Sequence, residues 1–182
     1  MVRPAVKVQP VRRIYDLPRR WTFRYCLTTL PSESFLALKG FFESAPVARR
    51  ATSALSREAE VGLLLEGGEQ ARFIMAAGVP EVLPEPARHP DFTLRLPARA
   101  VSQLTSLESD DVGEFGVEFF SLVVSKDAAS RVRVHIDAPT ASLIGHGYLG
   151  VLAVGGVKVM GWLLKKGARN PKAAIDRLRG GR

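Results

Sequence analysis

The stretch EVGLLLEGGEQARFIMAAG, residues 60–78, decides the fold class of this chain. Apolar residues dominate on both sides of Gly67 and Gly68, and glycine enters the positive-φ conformations of tight turns without steric cost. Two apolar runs separated by such a turn are typical of a β-hairpin. The stretch therefore predicts two antiparallel strands, over about residues 60–66 and 70–76.

Two later segments alternate apolar and polar residues with the period of a half-buried strand. They are DFTLRLP, residues 91–97, and RVRVHID, residues 131–137. The connection that precedes the first of them, GVPEVLPEPARHP at residues 78–90, is rich in proline. Because proline cannot donate to a sheet ladder, we expect this connection to be extended and to stay out of the centre of the sheet.

Helices are predicted before the hairpin. Ser32 or Ser34 can cap a helix that carries its phenylalanines and leucines on one side. Pro46 starts a second helical stretch, which is expected to continue to about Glu60.

The segments after residue 97 complete the order of elements. A short helix is expected over residues 98–107, and Asp110, Asp111 and Glu114 are typical of a turn followed by a helix start. EFGVEFFSLVV at residues 114–124 fits either a helix or a strand. An apolar helix ends the domain. This order predicts an α+β fold, in which a mostly antiparallel sheet packs against N-terminal and C-terminal helices.

Basic residues concentrate at the two ends of the chain. The net charge is +8, and residues 1–24 and 165–182 carry +6 each, so the residues between them sum to −4. Such ends attract nucleic acid, anionic lipid or an acidic protein face, or they are solvated tails. We expect a basic aromatic arm over residues 1–31, a single α+β domain over 32–167, and a basic helix or tail over 168–182.

The arm combines arginines with aromatic residues in RRIYDLPRRWTFRY, residues 12–25. Arginine binds phosphate and aromatic rings stack on bases, so nucleic-acid binding is one interpretation. In the other, Tyr15, Trp21, Phe23 and Tyr25 anchor the arm on the domain. The sequence contains no established nucleic-acid-binding motif, and both interpretations stay open.

Motifs that indicate catalysis are missing from the sequence. It contains no GxSxG, phosphate-binding loop, HExxH or paired-cysteine pattern. Cys26 is the single cysteine, so no internal disulfide is possible, and we expect a small buried side chain. His135 is expected at the surface, whereas His146 either contacts a ligand or makes a packing or hydrogen-bonding contact. We predict a protein without enzymatic activity, metal or cofactor. The N-terminal residues have no apolar core of signal-peptide length, which predicts a cytoplasmic location.

The longest apolar passage, residues 143–164, is long enough to cross a bilayer. It contains six glycines and Lys158, whose charge is costly inside a membrane, and it lacks the GxxxG spacing of membrane-helix dimers. We therefore expect a pliable apolar helix that does not span, with a plain core helix as the alternative. A tryptophan beside leucines and lysines suits the headgroup boundary. The predicted membrane contacts are Trp162, Leu163, Lys165 and Lys166.

The order of these elements resembles the sterol-carrier family of lipid-transfer domains (the SCP2-type sterol-binding domain) over about residues 58–166. In that family a strand of the form acidic-x-Thr-apolar runs into a helix. Asp91-Phe92-Thr93-Leu94-Arg95-Leu96, followed by the helix expected from Ala98, is similar to that segment. The hairpin, the paired Phe119 and Phe120, the late strand and the apolar C-terminal helix also follow the family's order.

The resemblance implies a hydrophobic tunnel that binds a fatty acyl lipid or a sterol-like molecule and needs no catalytic residue. The partners it implies are such a hydrophobic small molecule and an anionic membrane on which the basic ends dock, which would make the protein peripheral to the membrane. The alternative is an interaction protein whose arm binds nucleic acid or an acidic partner. The inward strand faces and the C-terminal helix would supply the ligand-binding residues Phe73, Met75, Phe92, Leu94, Val134, Ile136, Leu152, Val157 and Met160.

Overall fold

A computed structural model describes residues 30–166 and confirms the predicted α+β class. The predicted tail over 168–182 and nearly all of the predicted arm over 1–31 lie outside the described residues. The strands are β1 (Glu60–Leu65), β2 (Gln70–Ala76), β3 (Val79–Leu83), β4 (Phe92–Leu96) and β5 (Arg133–Ile136). The helices are α1 (Glu33–Ser44), α2 (Pro46–Thr52), α3 (Ala98–Thr105), α4 (Val112–Val123), α5 (Thr140–Gly145), α6 (Tyr148–Val154) and α7 (Gly156–Lys165).

The five strands form one mixed sheet in the order β3-β2-β1-β4-β5. β1 and β4 pair in parallel at its centre, and the other three pairings are antiparallel. The predicted hairpin is confirmed as β1 and β2, with Gly67 at φ 83° and Gly68 at φ 85° in the turn. Part of the proline-rich connection forms β3, which the sequence analysis did not predict as a strand. Pro80 is tolerated there because β3 lies at the edge of the sheet.

One face of the sheet forms the core with the helices. In the central strands Val61 lies beside Phe73 on one side and Phe92 on the other, all on this inner face. Phe42 of α1 packs edge-on against Phe73 with ring centroids 5.1 Å apart. Val101 of α3 is 1% exposed in the same core. Of the apolar residues in the two alternating segments, Leu96 and Val132 are buried in this core, and Phe92, Leu94 and Val134 are partly buried against it.

The outer face is partly covered by the connection between β3 and β4. Glu60 lies on this face, and its carboxylate accepts hydrogen bonds from the backbone amides of Arg88 at 3.0 Å and His89 at 2.8 Å. Arg72 donates to the same carboxylate at 3.2 Å. A buried acid thus holds the proline-rich connection onto the sheet.

The starts of α1 and α4 agree with the predicted capping residues, whereas α2 is shorter than predicted. Ser32 accepts a hydrogen bond from the amide of Phe35 at 3.1 Å and caps α1. Asp111 caps α4 by accepting from Gly113 at 2.7 Å, so the ambiguous segment is a helix. α2 was predicted to reach about residue 60 but ends at Thr52, because the next residues turn toward β1.

The expectation of one apolar C-terminal helix is wrong, because the passage folds as α5, α6 and α7. Gly147 at φ 89° separates α5 from α6, and Gly156 at φ 61° lies at the start of α7. No single helix within residues 30–166 is long and apolar enough to cross a membrane, and α6 and α7 meet that test only as a pair bent by 99°. Val151 and Lys158, which one continuous helix would place on the same face, therefore lie on different helices.

Candidate functional site

An apolar cavity of about 230 Å³ lies between the inner face of the sheet and helices α4 to α7. The sheet supplies one wall, α4 supplies a second, and α5 and α6 close the remaining side. The lining residues are Ala51, Val61, Phe92, Leu94, Val112, Phe115, Gly116, Phe119, Phe120, Val123, Val134, Leu143, Ile144, Tyr148, Leu149, Val151, Leu152, Gly155 and Val159.

Tyr148 is the one polar side chain among the described residues that line the cavity. Its ring packs edge-on against Phe92 at a centroid distance of 4.7 Å. Its hydroxyl donates to a carboxylate oxygen of Asp91 at 3.0 Å and is therefore already engaged. The described lining thus offers a ligand dispersion contacts and burial from water, and its one side-chain donor is already engaged.

Asp91 anchors the helical side of the cavity to the sheet. It is 2% exposed and accepts hydrogen bonds from Tyr148, from His146 Nδ1 at 2.8 Å and from the amide of Glu60 at 3.2 Å. Burial, together with the negative charge of Asp91, raises the pKa of Tyr148 far above its usual value, so the phenol stays protonated. His146 therefore has the hydrogen-bonding role that was one of its two interpretations.

A second polar cluster lies on the opposite face of the sheet. Burial alone would raise the pKa of Glu60, but hydrogen bonds from the amides of His89 and Arg88 and from Arg72 hold it below its usual value. Arg72 also pairs with Glu85. This cluster fastens the β3–β4 connection and does not line the cavity.

The structure brings four of the nine predicted ligand-binding residues together at the cavity. These are Phe92, Leu94, Val134 and Leu152. They come from the two alternating strands and from the apolar passage, the segments in which the sequence signal was strongest.

The other five predicted residues lie elsewhere. Phe73 and Met75 are buried in the main core. Ile136 pairs with Phe92 across the strands without lining the cavity. Met160 packs in a smaller cluster around Val159 and Leu163. Val157 is 88% exposed on α7, because the bend between α6 and α7 turns it away from the sheet.

The aromatic wall of the cavity was not predicted from the sequence. Phe115 and Phe119 are one helical turn apart on α4, and both line the cavity with Phe120. Their spacing of four residues is a helical signal. It was masked because apolar residues at positions 115, 117 and 119 also alternate as in a strand.

The predicted membrane contacts differ in exposure. Lys165 and Lys166 are exposed, and Lys166 Nζ lies 5.6 Å from the ring centroid of Trp162. Trp162 stacks on Phe120 at 6.2 Å. Leu163 is 6% exposed and belongs to the cluster with Val159, so it does not form part of the surface.

Within residues 30–166 there is no group of three or more His, Cys, Asp or Glu residues placed to hold a metal ion. His135, at the sheet surface as predicted, lies 3.4 Å from Asp137 and is widely exposed.

Comparisons with known proteins assign no family to this chain. No family model matches the chain, and no curated protein matches it. A solved structure described as "UbiJ-SCP2 Ubiquinone synthesis protein" is similar over 65% of this chain and 88% of that chain, with a TM-score of 0.38 and 15% identity. These values assign no family, so membership of the sterol-carrier family stays a prediction.

Proposed function

We propose that this protein binds a hydrophobic ligand, without chemical conversion, in the cavity between the sheet and helices α4 to α7. The observation that carries the proposal is the lining. Every described lining side chain is apolar except Tyr148, and the Tyr148 hydroxyl already donates a hydrogen bond to Asp91. A closed set of apolar walls stabilises hydrocarbon and leaves a polar ligand group without partners.

The volume limits the portion of a ligand that fits. A cavity of about 150 Å³ accommodates benzene, so by proportion about 230 Å³ accommodates roughly nine carbon atoms. Pockets that enclose a whole drug-sized molecule are larger, at about 300–1,000 Å³. We therefore infer that the cavity takes one ring or the end of an acyl chain, and that the polar group of the ligand stays outside.

The route for such a ligand lies at α5 and α6. Ile144 and Leu149 both line the cavity and are 53% and 38% exposed. Side chains that touch both the cavity and the solvent mark its mouth. A ligand bound there would contact Ile144 and Leu149 where its hydrocarbon part meets its polar part.

The experiment is a titration with a series of alkylamines that carry the fluorophore NBD on nitrogen, with chains of increasing length. We expect affinity to rise about fourfold for each added methylene, the factor that corresponds to about 0.8 kcal/mol. The rise should stop near nine carbons, where the cavity is full. No binding, or affinity that does not depend on chain length, would contradict the proposal.

We also propose that the end of α7 brings the protein to anionic membranes. Lys165 and Lys166 are exposed there beside Leu164, which is 55% exposed. Cationic and apolar groups at one helix end favour an anionic headgroup region. Co-sedimentation with phosphatidylcholine vesicles should be weak and should increase when phosphatidylglycerol is included. Exchange of both lysines for glutamine should reduce that increase, and equal binding to the two vesicle types would count against docking.

A further inference from the structure

Helix α6 is the thinnest part of the cavity wall. It has seven residues and none of them is buried. Tyr148, Leu149, Val151 and Leu152 nevertheless line the cavity. On this side of the cavity, a single helix without buried residues therefore separates the ligand space from solvent.

Both ends of α6 carry backbone conformations that favour glycine. Gly147 at φ 89° precedes the helix, and Gly156 at φ 61° follows it after one intervening residue. A Cβ atom at position 147 would lie 1.9 Å from the carbonyl oxygen of Ala54, so α6 begins in close contact with the chain after α2. Glycines at both ends give the helix two points about which it can rotate.

The neighbouring helix α7 is held more firmly. Val159 is 2% exposed and Leu163 is 6% exposed in their own apolar cluster. Lys158 adds ion pairs with Asp111 at 2.6 Å and Glu114 at 2.9 Å. The contrast in burial indicates that α6 can open while α7 stays in place.

Hydrogen bonds from both sides of Gly147 hold α6 against the sheet. Tyr148 and His146 each bond to the buried carboxylate of Asp91, at 3.0 and 2.8 Å. The carbonyl of His146 also accepts from the amide of Ser56 at 3.0 Å. Asp91 precedes β4, so these bonds join the start of α6 directly to the central strands.

We propose that α6 is a lid over the cavity and that Asp91 is the positioning residue that keeps it closed, so that its bonds to Tyr148 and His146 set the rates of ligand entry and release. This inference rests on the proposed function. If ligand passes only through the open lid, weakening the closed state raises the association and dissociation rate constants by the same factor. The equilibrium constant then stays nearly unchanged.

The test is Tyr148→Phe, which removes the hydroxyl and keeps the ring that lines the cavity. Stopped-flow fluorescence with NBD-octylamine should show both rate constants raised about fivefold, with the dissociation constant changed less than about twofold. Thr93→Val is the matched control. It also removes one hydroxyl that donates to an aspartate, Asp137 at 2.7 Å, but it lies on the sheet face turned away from the cavity. Its rate constants should equal those of the unmodified protein.

Unchanged rate constants in Tyr148→Phe, or a rise in dissociation alone, would overturn the lid. His146→Ala removes the other side-chain bond to Asp91 and should give the same paired rise if Tyr148→Phe does not fold. Hydrogen exchange of the unmodified protein gives an independent measurement. Amides of α6 should exchange faster than those of α4 and should slow when NBD-octylamine binds.

If the amide hydrogens of α6 and α4 exchange at equal rates in the free protein, the lid proposal is wrong, whether or not a ligand binds. Absence of binding to every alkylamine would contradict the proposed function, and the exchange comparison would still decide the lid.

Discussion

Lys158 Nζ of α7 lies 2.6 Å from a carboxylate oxygen of Asp111, the residue that caps α4. The same ammonium group lies 2.9 Å from Glu114 in the first turn of α4. A lysine inside the longest apolar passage of the chain thus joins the start of α7 to the start of α4. These are two of the elements that surround the cavity.

Replacement of Lys158 by methionine should reduce thermal stability at neutral pH and leave the fold intact. Hydrogen bonds from Lys158 and from the amide of Gly113 lower the pKa of Asp111, and hydrogen bonds from Ser109 and Lys158 lower that of Glu114. A lowered pKa contributes stability above the unfolded value, and that stability is lost as the pH falls through the folded value. Melting temperatures of the two proteins should therefore differ at pH 7 and converge below the usual carboxyl values of about 3.9 and 4.3.

Salt provides the control for this ion-pair effect. The three side chains are about half exposed, so added sodium chloride should reduce the difference in melting temperature at pH 7. A difference that is equally large at acid pH and in high salt would show that Lys158 contributes packing instead of charge.

Phenylalanine in place of Val151 should block the cavity. Val151 lines it from α6, and the larger ring occupies space that the ligand needs. We expect the affinity for NBD-octylamine to fall at least about tenfold, because several buried methylenes are displaced. Equilibrium fluorescence titration measures this change.

The matched control is the same substitution at Val157, six residues later in the apolar passage, on α7. Val157 is 88% exposed, so a ring there meets solvent. Affinity should remain within about twofold of the unmodified protein. Equal losses in the two variants would place the ligand somewhere other than this cavity.

Replacement of Glu60 by glutamine should destabilise the protein by about 2 kcal/mol, because its carboxylate accepts charge-assisted and backbone hydrogen bonds in a buried position. Urea denaturation at pH 7 measures the loss. The pKa of Glu60 is lowered, so the difference should be complete above about pH 4.3 and should disappear as the pH falls through the folded value.

Glu85→Gln is the control for this substitution. Glu85 pairs with the same Arg72 but its side chain is 44% exposed, so its loss should cost less than about 1 kcal/mol. Equal losses in the two variants would indicate that Arg72, and not the burial of Glu60, determines the effect.

Four of the five strands were predictable because their signals are local. The glycine pair between β1 and β2 and the alternation in β4 need only neighbouring residues to be recognised. The choice of Phe92, Leu94 and Val134 as ligand-binding residues combined the alternation of β4 and β5 with the tunnel that the family resemblance implied. β3 was missed because Pro80 within it, and Pro84 and Pro86 after it, hid an edge strand.

Residues 114–124 show that local pattern can be insufficient to distinguish a helix from a strand. Phe115 and Phe119 fit the period of a helix, and with the apolar residue between them they also fit the period of a strand. Packing of α4 against α7 selects the helix, since Val159 of α7 lies against it and Asp111 caps its start. The aromatic wall of the cavity depends on that selection.

Local sequence patterns were enough to predict the α+β class, the hairpin, the faces of β4 and β5 and the apolar character of the C-terminal passage, because each depends on sterics and burial within a few residues. The 99° bend of this passage is visible only in the folded chain. The glycines permit many backbone conformations. Distant contacts, from Asp91 to Tyr148 and from Lys158 to Asp111, select the one that turns Leu152 toward the cavity and Val157 toward solvent.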